Sequence, residues 1–481
     1  MPVTHHALRP CGWAAISLLT TACAHYAPQP LDLRASAVAL QMRGVDDPQV
    51  GQLIRAQIPS RGASSWPPSP FTLDDLLAVA QVENRTLKAA RADLQAALGT
   101  ARSAAELPNP TLSLAADHYL RSQMGTAQMG TAQVGSAPWL WGASLDLPLT
   151  ALRNRSLQSA LAETRVRTAR LDYAERLWQS RREIRSAVLT LQVGNAQMAL
   201  AQEALRAATT LDEAFAHLVA MGETAPAQRL TASVARLQAQ RDVASAQARR
   251  VAGETGLAHA LGLGVGAIHG LALPPLLQTA PSAPDAARLA ALREQALLSR
   301  ADVETALVQY DATELELQRE VRAQYPQITL GPGYTYDHGL RKVDFNASLT
   351  VPLFNRNGGA IAAAQARRSA AGDRLEAAQA TALADVDGTA AALEQSLQAL
   401  TAARALQEVD MQVAARTQRE MQEGAADRLA LLTAELAANS STQNALSALD
   451  QSWQAQGALE DALRSPLQPD PPPRNAEQTV H

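Results

Sequence analysis

Two hydrophobic periodicities alternate along this chain. Between Pro148 and Pro226, and again between Pro352 and Pro466, no proline interrupts runs of Ala, Leu, Gln, Arg and Glu, residues that favour α-helix. Continuous helix from Ala151 to Ala220 would be about 105 Å long. A compact core does not accommodate that length, whereas a tube or coiled coil does. Apolar residues at Leu230, Val234 and Leu237, and at Leu429, Leu432 and Leu436, follow the three-four spacing of a coiled-coil seam. Abundant Ala beside the seam lets helices approach closely.

Four shorter segments alternate with period two. In the first, Leu112, Leu114 and Ala116 oppose Thr111, Ser113 and Asp117; in the second, Trp139, Trp141, Ala143, Leu145 and Leu147 oppose Ser144 and Asp146. In the third, Ile328, Leu330, Tyr334 and Tyr336 oppose Thr329, Gly331, Thr335 and Asp337; in the fourth, Val343, Phe345, Ala347, Leu349 and Val351 oppose Asp344, Asn346, Ser348 and Thr350. A half-buried soluble sheet gives the same alternation. Strands of about 10 residues, aromatic residues near the strand ends and an export signal favour a sheet in lipid instead. Four strands do not close a barrel, and open edges are not tolerated in hydrocarbon. The chain is therefore expected to oligomerise, three copies giving twelve strands.

The chain also repeats itself, and the repeat sets the architecture. The run Leu107-Pro-Asn-Pro-Thr-Leu-Ser-Leu114 aligns with Ala323-Gln-Tyr-Pro-Gln-Ile-Thr-Leu330, Leu147-Pro148-Leu149 with Val351-Pro352-Leu353, and Met221-Gly222 falls near Glu423-Gly424. The offset changes between the first and second marks, mostly because of the tandem Met124-Gly-Thr-Ala-Gln128 and Met129-Gly-Thr-Ala-Gln133, a duplication suited to an exposed loop.

The expected organisation is a signal peptide at 1–22 and an N-terminal periplasmic extension at 23–72, read as a proline-marked tether. A first repeat follows at 73–280, with an opening helix, strands near 110–119 and 138–148, a long helix at 151–221 and a helix at 227–260. A second repeat at 281–464 has an opening helix, strands at 326–337 and 343–353, a long helix at 359–422 and a helix at 426–464. A disordered tail takes 465–481, where three consecutive prolines occur. The fold class is mainly α with a β-barrel part.

Composition narrows the partners. Hydrophobic residues make up 47% of the chain but aromatics only 4%, which suits helices packed through small side chains. A formal net charge of -4 without blocks of like charge argues against nucleic acid. Arg9, an apolar stretch from Trp13 to Leu19 and Thr20-Thr21-Ala22-Cys23 read as a secretion signal. Cys23 fits the acylated first residue of a lipoprotein, although Thr20 stands where Leu is preferred; simple cleavage at the same small residues is the alternative. Cys11 leaves with the signal, so the mature chain holds no internal disulfide. Nothing downstream approaches the roughly 18 consecutive apolar residues of a membrane-spanning helix.

On these residues the chain resembles the outer-membrane factor (TolC-like) efflux family, and within it the heavy-metal efflux subgroup of the CzcC and CusC type. The resemblance runs over about 66–464. It is carried by Leu107-Pro-Asn-Pro110, by Ser299-Arg-Ala-Asp-Val303, and above all by Val351-Pro-Leu-Phe-Asn-Arg-Asn-Gly-Gly-Ala-Ile361 between the fourth strand and its long helix. It implies a homotrimer with a 12-strand barrel in outer-membrane lipid and a helical barrel in the periplasm. It also implies docking to a periplasmic adaptor and an inner-membrane pump of the resistance-nodulation-division type. The exported substrate on this reading is heavy-metal cations, with organic toxicants or drugs as the alternative.

In such proteins the turns joining each long helix to its partner form the periplasmic mouth. Here these are Met221-Gly-Glu-Thr-Ala-Pro-Ala-Gln-Arg-Leu230 and Glu423-Gly-Ala-Ala-Asp-Arg-Leu429. Gly222 and Gly424 read as C-caps and Pro226 as a helix restart. Arg229, Asp427 and Arg428 are candidates for contacts that hold the mouth shut or meet the adaptor. Relatives often narrow the mouth with inward Asp residues after the second tip glycine; this chain has Ala430, Leu431, Leu432 and Thr433, with Glu435 the nearest carboxylate.

Enzyme chemistry is not visible, and neither cofactor nor metal site is expected. The His residues are scattered, and no cysteine pair is available to bind metal. Asp337, His338 and Asp344 read as a solvated loop tip. Gly262-Leu-Gly-Val-Gly266 follows a helix and lacks the strand-to-helix setting of a phosphate cradle. A periplasmic coiled-coil adaptor or scaffold lipoprotein would share the helices and anchor, but gives no reason for four lipid-length strands in two matching units.

Overall fold

The computed structural model describes residues 26–57, 66–118, 139–337 and 340–467. The signal stretch, Cys23, the tandem at 124–133 and His338 lie outside the described residues. The chain divides into two units, 1–43 and 44–481. In the first, helix α1 (Leu33–Gln41) begins at Asp32, whose carboxylate accepts the N–H of Arg34 at 2.8 Å, an N-cap.

In the second unit, α2 (Pro48–Gln57), α3 (Leu73–Glu83) and α4 (Arg85–Ala105) lead into strands β1 (Thr111–His118) and β2 (Trp139–Asp146), and then into α5 (Leu149–Ala220) and α6 (Pro226–Leu261). After two short 3-10 turns come α7 (Ala286–Ser299), α8 (Ala301–Arg322), β3 (Gln327–Asp337), β4 (Leu340–Thr350), α9 (Gly358–Gln422) and α10 (Arg428–Leu463). By helical rise α5 is about 108 Å long and α9 about 98 Å.

The helix expected to open each repeat is in fact two helices. Asn84, in extended conformation, ends α3 and caps α4 by accepting the N–H of Thr86 at 2.9 Å. Arg300, also extended, separates α7 from α8. Neither residue is a Gly or Pro, so the breaks carry no strong sequence signal.

Long-helix packing uses small residues. The buried positions of α6 include Ala232, Ala239, Ala246, Gly253 and Ala260, a heptad of small side chains against α5. A Cβ on Gly253 would lie 2.5 Å from the backbone N of Leu191, and one on Gly194 2.8 Å from that of Arg250. This corrects the expected seam on α6: Leu230, Val234 and Leu237 are exposed, at 68%, 52% and 55%. The seam expected on α10 lies inward, Leu432 being buried with Leu211 and Ala232, and Leu429 and Leu436 packing against them.

The largest core lies midway along α5. Ile184, Val188 and Leu191 pack there with Leu76 and Val79 of α3 and with Leu257 and Leu261 of α6. Val50 and Ile54 of α2 and Phe71 are buried in the same cluster, so this part of the segment read as a tether is core. A second cluster joins Ala296 of α7, Val386 and Leu393 of α9, and Leu459 and Leu463 of α10. Leu467 is buried in it and its N–H reaches Glu460 Oε1 at 3.2 Å. The start of the segment expected as a disordered tail is thus held on the core, because an apolar residue follows Pro466 within reach of it; the rest of that segment, 468–481, lies outside the described residues.

Candidate functional site

The sheet is antiparallel in the order β1-β2-β3-β4, and its register decides what each face presents. Leu112 pairs with Leu145, Leu114 with Ala143, Trp141 with Tyr336, Ala143 with Tyr334, Ile328 with Leu349 and Pro332 with Phe345. Cross-strand partners share a face, so most apolar positions of the four strands fall on one side, except at the loop end, where Leu140 and Leu340 pair with Asp337 and Arg341 pairs with Tyr336. Asp117, Ser144, Asp146, Thr335, Asp344 and Asn346 fall on the other. The apolar side is open: Leu114, Val343 and Phe345 are among its exposed members. From the level of Tyr336 to Val351 it runs roughly 34 Å along β4.

Aromatic rings gather at the loop end of that side. Trp141 stacks on Tyr336 with centroids 5.7 Å apart and lies 5.6 Å from Tyr334; Trp139 meets His118 at 4.5 Å. The polar side holds its own network: Thr335 donates to Asp344 at 2.5 Å, and Lys342 pairs with Asp337. β1 and β4 are the edges of the sheet.

At the opposite end of the strands, motif residues shape the passage into helix. Asn357 sits at φ 59 immediately before α9, and its amide donates to both the backbone O and Oε2 of Glu320, each at 2.9 Å. Hydrogen bonding from Asn357, then from Arg319, holds the Glu320 carboxyl below the usual range. Of the two asparagines in the Val351–Ile361 run, Asn357 therefore fastens the start of α9 to the end of α8.

The far ends of the long helices form two matching tips. At the first, Gly222 adopts φ 76, its N–H bonds Val219 O at 3.1 Å, and Glu223 N–H bonds Leu218 O at 2.9 Å. At the second, Gly424 adopts φ 77, its N–H bonds Met421 O at 3.1 Å, and Ala425 N–H bonds Glu420 O at 2.7 Å. Both are Schellman caps, whose positive φ favours glycine. The restarts differ. Pro226 opens α6 with no side-chain cap, whereas Asp427 caps α10 by accepting the N–H of Ala430 at 2.7 Å.

Arg428 and Glu435 line a groove of about 580 Å³ between α5, α9 and α10, with Glu203 and Arg206 on the α5 side. Arg229 lies close enough to Asp212 for its charge to act on that carboxylate. Asp212 accepts from Ser233 Oγ at 2.7 Å and Arg236 Nε at 3.0 Å, clamping α5 to α6. The Ser233 bond is the main reason that its pKa lies below the usual value, helped by Arg236 and Arg229 against partial burial.

The sequence reading missed a polar network between the middle of α5 and the C-terminal end of α10. Arg185 of α5 donates to Glu460 at 2.7 Å, to Gly457 O at 2.9 Å and to Asp461 at 3.1 Å. Trp178 reaches Asp461 at 3.0 Å, and Arg464 forks onto Glu175 at 2.8 and 3.0 Å. These bonds tie α5 to the end of α10. Among the described residues no group of three or more His, Cys, Asp or Glu is placed to hold a metal ion, and no helix is long and apolar enough to cross a membrane.

Two sequence stretches, 76–263 and 292–463, match the outer membrane efflux protein family, and together they cover most of the chain. The chain belongs to the outer membrane efflux protein family. The first matched stretch of this efflux protein runs from within α3 past the end of α6, and the second from within α7 to the end of α10.

Solved structures share its fold at low identity. The open state of the Neisseria gonorrhoeae MtrE outer membrane channel is 20% identical with a TM-score of 0.66, over 82% of this chain and 89% of that one. The outer membrane protein VceC of Vibrio cholerae is 18% identical with a TM-score of 0.65, over 82% and 97%. CusC, whose structures describe folding and transmembrane channel formation, is 17% identical with a TM-score of 0.64, over 83% and 94%. No match was found among curated protein sequences.

Proposed function

We propose that this efflux protein is one protomer of a homotrimeric outer-membrane channel, the passive exit duct of a tripartite efflux system. The observation that carries the reading is the sheet, with an open apolar face on one side, a polar face on the other and two edge strands. Lipid accepts such a sheet only if its edges are paired, because each unsatisfied backbone group there costs several kcal/mol. Three copies joined from β4 to β1 close twelve strands, the apolar faces outward and the polar faces lining the bore. At the usual strand tilt the apolar band is about 26 Å high, close to that of outer-membrane barrels.

The two tips then mark the periplasmic mouth. Gly222, Pro226, Arg229, Gly424, Asp427 and Arg428 are the proposed surface for a periplasmic adaptor leading to a resistance-nodulation-division pump. Cys23 is the proposed acylation site. Heavy-metal cations are the proposed cargo, supported by the Val351–Ile361 run; organic toxicants are the second reading. Selectivity would belong to the pump, and the duct transports without catalysis.

The test is the native mass of protein extracted in detergent from purified outer membranes. About three chains supports the shared barrel; a monomer released without detergent overturns it and favours a periplasmic scaffold. Tolerance of a deletion strain to metal salts and to organic toxicants then separates the two cargoes.

A further inference from the structure

Four strand–helix junctions, each taken with its adjoining helix end, span 102–110, 147–155, 319–326 and 351–357. They carry Arg102, Arg153, Arg155, Arg319, Arg322 and Arg356. Against these stand only Glu106 and Glu320, leaving a net charge of about +4 in each chain at neutral pH. Glu320 is already engaged by Arg319 at 3.0 Å and by Asn357. Arg322 and Arg356 make no ion pair among the described residues. The loop ends of the strands show no such excess, since Asp117, Asp337 and Asp344 there are matched in the sequence by Arg121, Arg341 and Lys342.

The position of this charge is as informative as its sign. Arg153 and Arg155 fall about 6–9 Å beyond Leu149 along α5, directly past the end of the apolar face. That distance is the depth of a headgroup layer outside the hydrocarbon core. Apolar side chains occupy the same junctions: Leu107, Leu353 and Phe354 are exposed, the last completely. Tyr325 is exposed with the Arg153 guanidinium 5.8 Å from its ring centre, a pairing suited to a membrane–water boundary. A free phosphate would use the charge but not the apolar neighbours; a phospholipid uses both.

We infer that the strand–helix junction is a collar that binds the headgroups of anionic phospholipids, with Arg153, Arg322 and Arg356 as phosphate ligands and Leu107, Leu353 and Phe354 against the acyl chains. This rests on the membrane-spanning reading of the sheet. A guanidinium presents a planar fork that meets two phosphate oxygens at once, and cations near an anionic surface add to its hold. Three protomers would repeat the collar around the barrel, so the lipid becomes part of how the duct is seated at its periplasmic edge. Arg155 serves the fold instead, donating to Ala105 O at 2.6 Å.

The experiment uses purified full-length protein in detergent, with thermal stability and lipid retention by native mass spectrometry as readouts. Phosphatidylglycerol, phosphatidylcholine and inorganic phosphate are the probes. Phosphatidylglycerol is expected to raise the melting temperature and stay bound, while the other two do neither. R153Q/R322Q/R356Q is expected to keep its trimer mass and lose at least three-fold of the phosphatidylglycerol preference, and R153K/R322K/R356K to retain most of it. Wild-type protein indifferent to headgroup charge would overturn the collar, as would an R153Q/R322Q/R356Q variant that binds like wild type. Loss of the trimer in that variant alone would also overturn it, assigning the arginines to subunit contact. A wild-type monomer would instead defeat the channel reading itself.

Discussion

The guanidinium of Arg300, only 5% exposed, donates to Asp385 of α9 at 2.8 Å although 85 residues separate them. It also holds Asp302 at 2.9 Å and the backbone O of Ala462 at 3.2 Å. Burial opposes its charge, but the hydrogen bonds to Asp302 and Asp385 hold its pKa above the usual value. The one residue between α7 and α8 therefore fastens that break to α9 and α10.

Replacing Arg300 by Met should lower stability by about 2–3 kcal/mol, the scale of hydrogen bonds to a charged group. Arg300→Lys should recover part of it, since an ammonium cannot reproduce the fork. Thermal unfolding of the detergent-solubilised protein measures both; an unchanged Arg300→Met midpoint would remove the fastening role.

At the tips the cost should come from backbone alone. A Cβ at Gly222 or Gly424 meets nothing within 4 Å, so Gly→Ala at either position should cost about 1–2 kcal/mol of left-handed strain without a clash. Hydrogen exchange at Glu223 and Ala425 should quicken while oligomer mass stays unchanged. Equal exchange in mutant and wild type would show that the caps do not limit tip opening.

Close approach is the constraint at Gly253, where an added methyl would stand against Leu191 backbone. Gly253→Ala should destabilise by about 1–3 kcal/mol through overpacking, more than the exposed Gly388→Ala on α9, where a Cβ meets nothing. Melting curves that place the two variants together would contradict the tight crossing.

Acid should loosen the first hairpin through Asp212. Its folded pKa is lowered, so its contribution is complete above the unfolded carboxylate value near 3.9 and is lost as pH falls through the lower folded value. Hydrogen exchange around Ser233 should therefore rise below about pH 4 in wild type. Asp212→Asn should show raised exchange at neutral pH and a weaker acid response; an identical acid response in the variant would assign the effect to other groups.

Local sequence settles whatever a period or a single residue type can encode. Alternation from Leu112 to Asp117 and from Val343 to Val351 marks strands, proline-free stretches mark α5 and α9, and Gly222 and Gly424 mark the tips, because each depends on neighbours a few residues away. It also separates the two faces of the sheet, since strand side chains point to opposite sides in turn. It does not decide which stripe of a helix is covered. On α6 both Leu230-Val234-Leu237 and Ala232-Ala239-Ala246 have helical spacing, and only the tertiary structure turns the alanines inward. Small residues let the axes approach closely, and the leucine stripe is left on the open side. Arg185 with Glu460, Arg300 with Asp385 and Leu467 in the core are likewise tertiary facts. Each joins positions far apart in the chain, and their proximity depends on how α5, α9 and α10 pack rather than on any local pattern.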